Sequence, residues 1–88
     1  MTITERIKTY VRESLATELR DHDDIFDLGL ANSLFALQLV LFIEREFSIV
    51  AQRTDLDIRN FCSVAAMSAF VARKLGKAAD NGDGPGAD

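Results

Sequence analysis

Apolar residues recur every four positions at the start of the chain: Ile3, Ile7, Val11 and Leu15, with Tyr10 beside the stripe. Arg6, Lys8, Arg12 and Glu13 fall mostly off it. The spacing predicts an amphipathic helix over residues 3 to 17. Thr2-Ile3-Thr4-Glu5 reads as its capping box, with Thr2 as N-cap and Glu5 at the third helical position. The stripe is narrow, so this helix needs other helices to pack on. The period is then lost between residues 18 and 32. That loop places four Asp among the seven residues from Asp21 to Asp27, and its apolar Ile25, Phe26, Leu28 and Leu30 are expected to pin it to the core. Loops of this length in small domains are uncommon and often functional.

A second apolar segment follows. From Leu34 to Ile43 every residue but Gln38 is apolar, which predicts a helix from Ser33 to Phe47. On a helical wheel Ala36, Leu39, Val40, Ile43 and Phe47 share one face. Leu34, Leu37, Gln38, Leu41, Glu44 and Arg45 share the other, with Phe35 at its edge. The first face packs the core. The second is still largely apolar and reads as a docking surface. Ser33 heads this helix in the position of a cap. Gly29, the only glycine before residue 76, marks a turn leading into it.

Residues 48 to 54 read as a connector, and residues 55 to 61 as one short helical turn. Ser63 reads as the N-cap of a last helix, 64 to 75, with Val64, Met67, Val71 and Leu75 on one face and Gly76 as its stop. No segment alternates with period two for long enough to be a strand. The expected fold is all-α: a small bundle of three main helices plus one short helix, with a long first loop. Residues 1–75 form the helical domain. Residues 76–88, rich in Gly and Asp, form a tail expected to be disordered.

Composition narrows the function more than the fold. The 88 residues make a single domain with little room for a catalytic cleft beside its core. A net charge of −4 argues against nucleic acid as a partner. The single Cys62 excludes an internal disulfide or a cysteine-based zinc site. It reads as a small, partly buried apolar residue more than as a reactive thiol. Met1 leads directly into a charged amphipathic segment rather than a signal peptide, and the apolar run is too short for a bilayer, so a cytoplasmic location is expected. The Asp-rich loop does not fit an EF-hand: its sixth position would be Phe26 where glycine is needed, and its twelfth Asn32 where glutamate is needed. A solvated acidic loop is the reading kept. His22 reads as a surface residue, and Met67 and the phenylalanines as core. Ser33 has no evident base for nucleophilic catalysis, and the nucleophile-elbow pattern is absent. A modification site is the remaining chemical use of Ser33, because a phosphodiester there would meet the amides of a helix N-terminus.

Phe26-Asp27-Leu28-Gly29-Leu30-Ala31-Asn32-Ser33-Leu34 resembles the phosphopantetheine attachment segment of acyl carrier proteins. The similarity continues through Glu44-Arg45-Glu46-Phe47 and Asn60-Phe61-Cys62-Ser63-Val64, and the order of elements fits over residues 2 to 75. The resemblance implies an acyl-carrier-like fold and a carrier without catalytic activity of its own. A phosphopantetheinyl transferase would attach 4′-phosphopantetheine from coenzyme A to Ser33, and the arm would hold an acyl group as a thioester. Acyl-loading and tailoring enzymes, and acyltransferases or synthase modules, would be the partners, with no nucleic acid or membrane involved.

Two departures bear on this reading. The family commonly has Asp before the serine, where this chain has Asn32; other residues occur there among carrier proteins, and modification of Ser33 is still expected. Carriers of dissociated fatty-acid systems have a strongly acidic second helix, whereas residues 33 to 47 here carry only Glu44, Arg45 and Glu46. Docking is therefore expected to lean on Leu34, Phe35, Leu37 and Leu41, with Asn32, Gln38, Glu44 and Arg45 around them. The stretch Gly29 to Val40 is similar to discrete carriers of polyketide and hybrid pathways, and most of all to those for unusual extender units such as methoxymalonyl, built from a carrier-bound glyceryl group. An aminoacyl or peptidyl carrier and a non-catalytic helical interaction domain are the alternatives. A monomer is expected, though the apolar face could instead close a homodimer.

Overall fold

The computed structural model describes residues 2–76. The expected tail, apart from Gly76, lies outside the described residues. Three helices carry the fold: α1 (Ile3–Leu15), α2 (Ser33–Phe47) and α3 (Val64–Leu75). Among the described residues there is no strand. The chain is an all-helical bundle, and α2 and α3 have the bounds that the sequence pattern predicts.

Each helix begins on a side-chain cap. Thr2 and Glu5 form the reciprocal capping box of α1, and the Ser63 hydroxyl accepts from Ala66 N at 3.0 Å to start α3. Helix α1 stops two residues earlier than expected, because Ala16 turns left-handed at φ 53° and its N–H bonds back to Arg12 O. Ser48 ends α2 in the same way at φ 54°. Gly76 ends α3 at φ 73°, where glycine carries no Cβ penalty.

Helices α1 and α3 pack closely. Ile7 and Val11 meet Val64, Met67 and Val71 in the buried core, and the Thr4 and Ser68 hydroxyls pair at 2.7 Å across the interface. Helix α2 reaches α1 through larger side chains. Tyr10 stacks on Phe42 with centroids 3.9 Å apart and on Phe35 at 6.4 Å. Arg6 lies 5.3 Å over the Phe47 ring and pairs with Glu46 at 2.9 Å. The core stripe of α2 is therefore Phe35, Leu39, Ile43 and Phe47, at four-residue spacing.

The first loop is held by main-chain bonds. Ile25 N donates to Cys62 O at 2.8 Å, and Ala65 N donates to Asp21 O at 2.8 Å. Ile25 is fully buried and Phe26 and Leu30 pack partly against the core, whereas Leu28 stands exposed. The acidic side chains serve the loop's own turns. Asp24 Oδ1 accepts from Phe26 N and Asp27 N at 3.0 and 2.9 Å, and Asp23 Oδ2 from Arg20 N at 2.9 Å. Lys8 Nζ lies 3.0 Å from Asp21 Oδ1 as a charge contact without hydrogen-bond geometry.

Between α2 and α3 lie two 3-10 turns, Arg53–Asp55 and Ile58–Asn60, the second within the residues expected to hold one short helical turn. Carboxylates break the segment into turns. Asp55 Oδ2 accepts from Gln52 N at 2.8 Å, and Asp57 Oδ1 from Arg59 N at 2.9 Å. Each local bond offers the backbone an alternative to a continuous helix.

Candidate functional site

Gly29 turns the first loop toward α2 at φ 75°, a conformation that side-chain-bearing residues adopt at a cost. Leu30 N and Ala31 N both return to Ile25 O, at 2.9 and 3.1 Å, and close the turn over the buried Ile25. The chain then enters α2 at Asn32, and this corrects the expected cap. Asn32, not Ser33, is the N-cap: its Oδ1 accepts from Phe35 N at 3.0 Å. Ser33 is the first helical residue and is exposed. The cap duty falls on the amide side chain, and the hydroxyl is left at the positive end of the helix dipole.

Ser33 opens onto an apolar groove of about 340 Å³. Ser33, Ala36, Leu37 and Val40 form its α2 wall. Leu56, Asp57 and Ile58, from the two 3-10 turns, form the other wall, with Phe26 and Phe61 completing the lining. Asp57 is the one charged group in the lining. Hydrogen bonds from the Arg59 side chain and then its backbone hold the Asp57 carboxyl down at about 2. Asp55, behind the same wall, is lowered mainly by its hydrogen bond from Lys74 and next by that from Gln52 N. Both carboxylates are therefore charged at neutral pH.

The predicted docking residues do not all share one surface. Leu34, Leu37 and Leu41 are exposed, at 64%, 56% and 49%. Asn32, Gln38 and Arg45 are exposed as well. Phe35 is a correction: it is buried and stacks toward Tyr10. With so many apolar neighbours the helical wheel leaves the core stripe ambiguous, and the Tyr10 ring of α1 decides it. Glu44 is half-buried and engaged, its Oε2 accepting from Ala51 N at 2.8 Å. Gln38, Leu41 and Arg45 border a second hollow of about 300 Å³ with Tyr10 and Phe42, on a different flank of α2 from the groove.

Sequence reasoning missed the groove because its second wall comes from a segment with no helical period. The available signal was Leu56, Ile58 and Phe61, three large apolar residues in a stretch read only as one short helical turn. Among the described residues no group of three or more His, Cys, Asp or Glu is placed to hold a metal ion, and no helix is long and apolar enough to cross a membrane. His22 is exposed in the first loop, and Cys62 is half-buried beside α3. No protein-family model matches the chain, and none of the curated proteins compared with it matches either.

Proposed function

We propose that the protein is a stand-alone acyl carrier with an acyl-carrier-like bundle, modified by 4′-phosphopantetheine on Ser33. The observation that carries this reading is the position of Ser33: exposed, in the first turn of α2, and lining an apolar groove of about 340 Å³. Each part of the arm has a counterpart there. The phosphodiester would stand at the helix N-terminus, where negative charge is favoured. The groove offers apolar surface to whatever the arm carries, and the exposed Leu34 and Leu37 beside it offer a greasy landing face to the enzymes that load and unload it. Bound, the arm supplies a thiol that holds acyl groups as thioesters. The protein positions that thiol and presents it, and the acyl-transfer chemistry belongs to its partners. The extender-unit role in polyketide or hybrid biosynthesis, and the cytoplasmic location, rest on the sequence resemblance.

The test is intact mass after incubation with a broad-specificity phosphopantetheinyl transferase, magnesium and coenzyme A. The mass is expected to rise by one phosphopantetheine, and Ser33→Ala is expected to show no rise. Absence of a gain in the folded wild-type protein overturns the carrier reading and leaves α2 as the face of a non-catalytic interaction domain. Loading assays with acyl and aminoacyl donors then separate an acyl from an aminoacyl or peptidyl carrier.

A further inference from the structure

Helix α2 turns a face to solvent that no other described element covers. Leu34, Gln38, Leu41 and Arg45 succeed one another at steps of four, three and four residues, so they stand in one column, on the side away from the buried Leu39 and Ile43. All four are exposed, Leu34 and Leu41 at 64% and 49%. Gln38, Leu41 and Arg45 also border the hollow of about 300 Å³ beside Tyr10 and Phe42. A column of exposed leucines next to an aromatic hollow is a helix face without its partner.

The charges around this face fit it to itself. No residue from Leu28 to Ile43 is charged, so two copies of a chain of net charge −4 can meet there without the repulsion that acts elsewhere on the surface. The free charges at the two ends of the stretch are opposite. Asp27 stands exposed ahead of the helix, and Arg45 stands exposed near its foot. Glu44 and Glu46, on either side of Arg45, are engaged within the chain, with Ala51 N at 2.8 Å and with Arg6 at 2.9 Å. The Asp27 and Arg45 side chains make no ion pair or hydrogen bond among the described residues. An acidic head, a neutral apolar middle and a basic foot become complementary when two such faces meet antiparallel, as a two-fold interface requires. The dipoles of the two helices then oppose as well.

We propose that the protein forms a weak, reversible homodimer in which the exposed faces of two α2 helices pack antiparallel, with Asp27 of each chain pairing with Arg45 of the other. A two-fold axis midway between Leu37 and Gln38 sets Leu34 of one chain against the partner's Leu41, beside the hollow. The same axis carries Arg45 past the head of the partner's helix, to the turn that holds the partner's Asp27. A second copy is the occupant because it matches both ends of the face at once, whereas a partner of one charge sign would match one end and oppose the other. The column is short, so each chain buries less than the roughly 800 Å² per partner of a standard stable complex, and the dimer is correspondingly weak. The inference goes beyond the carrier reading and does not depend on it. On that reading the dimer is a resting form, since it covers Leu34, one of the leucines offered to the loading enzymes.

Sedimentation equilibrium of the unmodified full chain tests it. Between about 10 µM and about 1 mM, the range that so small an interface gives, monomer is expected to pass into dimer. Leu41→Gln, at an exposed position, is expected to remove the dimer and to leave thermal unfolding at low concentration as in wild type. Arg45→Glu and Asp27→Arg are each expected to raise the dissociation constant roughly three- to tenfold, the scale of two exposed ion pairs lost together. Mixed in equal amounts, these two single variants are expected to associate about as tightly as wild type, because every contact in the mixed dimer again joins opposite charges. A chain that stays monomeric across the range overturns the proposal and leaves the face to a different protein. A dimer that Leu41→Gln leaves intact, or a mixture that associates no better than the single variants alone, overturns it as well.

Discussion

The groove beside Ser33 has two walls made by different physics. The α2 wall is one side of a continuous helix whose other side, Phe35, Leu39, Ile43 and Phe47, is sunk in the core. The wall opposite has no buried side chain of its own. Leu56 and Ile58 stand 56% and 59% exposed, and hydrogen bonds and ion pairs hold their turns in place. Ser33 therefore sits on the firm wall, the one anchored in the core, and faces a second wall held mainly by polar bonds.

The largest expected difference between the walls is in stability. Leu39→Ala should lower stability by about 2–5 kcal/mol, the range for truncating a fully buried leucine. Leu56→Ala on the opposite wall should change it by no more than about 0.5 kcal/mol, as for a surface position. Urea unfolding of the two variants checks this, and similar losses would make Leu56 a packed part of the core.

The head of the firm wall comes next. Asn32→Ala should cost about 1 kcal/mol by removing the bond to Phe35 N, and Asn32→Asp should preserve it. Thermal unfolding measures the cost, and a neutral Asn32→Ala would place the cap elsewhere. Leu37→Asp is expected to shift stability by at most about 0.5 kcal/mol, because Leu37 is exposed, and yet, on the proposed carrier function, to impair turnover by the loading enzymes more strongly. Equal loss of folding and turnover would put Leu37 in the core.

The smallest effect is acid loosening of the second wall. The Asp57 and Asp55 carboxyls are both depressed in the folded state. The stability their pairs contribute is present above the ordinary 3.8 and is lost as pH falls, through about 2 for Asp57. A carboxyl-carbon titration of Asp57 should show its midpoint near 2. A midpoint near 3.8 would mean that the Arg59 pair does not form in solution.

The same contrast explains what could be read from the chain. Helices α2 and α3 follow from apolar runs headed by Ser33 and Ser63, and Gly76 stops α3, although the cap of α2 is Asn32, one residue earlier than the sequence pattern places it. The end of α1 was less legible, because its stop is a left-handed alanine, Ala16, which composition does not mark. The inward face of α2 was half-legible. Leu39, Ile43 and Phe47 follow from periodicity, whereas Phe35 is drawn inward by Tyr10, a residue on another helix. The wall made by Leu56, Asp57 and Ile58 was not legible. Its apolar residues have no period, and its shape is set by carboxylates bonding to nearby amides, with Glu44 of α2 and Lys74 and Arg73 of α3 fixing where it lies. Periodicity reports burial, so a wall without burial leaves little trace in it.

The close pairing of α1 with α3 bears on the order in which the protein can be made. The first helix finds its closest partner, including the Thr4–Ser68 contact, only when the last described helix has been synthesised. The loop that delivers the chain to Ser33 likewise waits for Cys62 and Ala65 to supply its main-chain anchors. A nascent chain that has emerged only as far as α2 therefore displays the serine without the fold around it. An enzyme that recognises the folded surface around Ser33 would have to act after translation of α3.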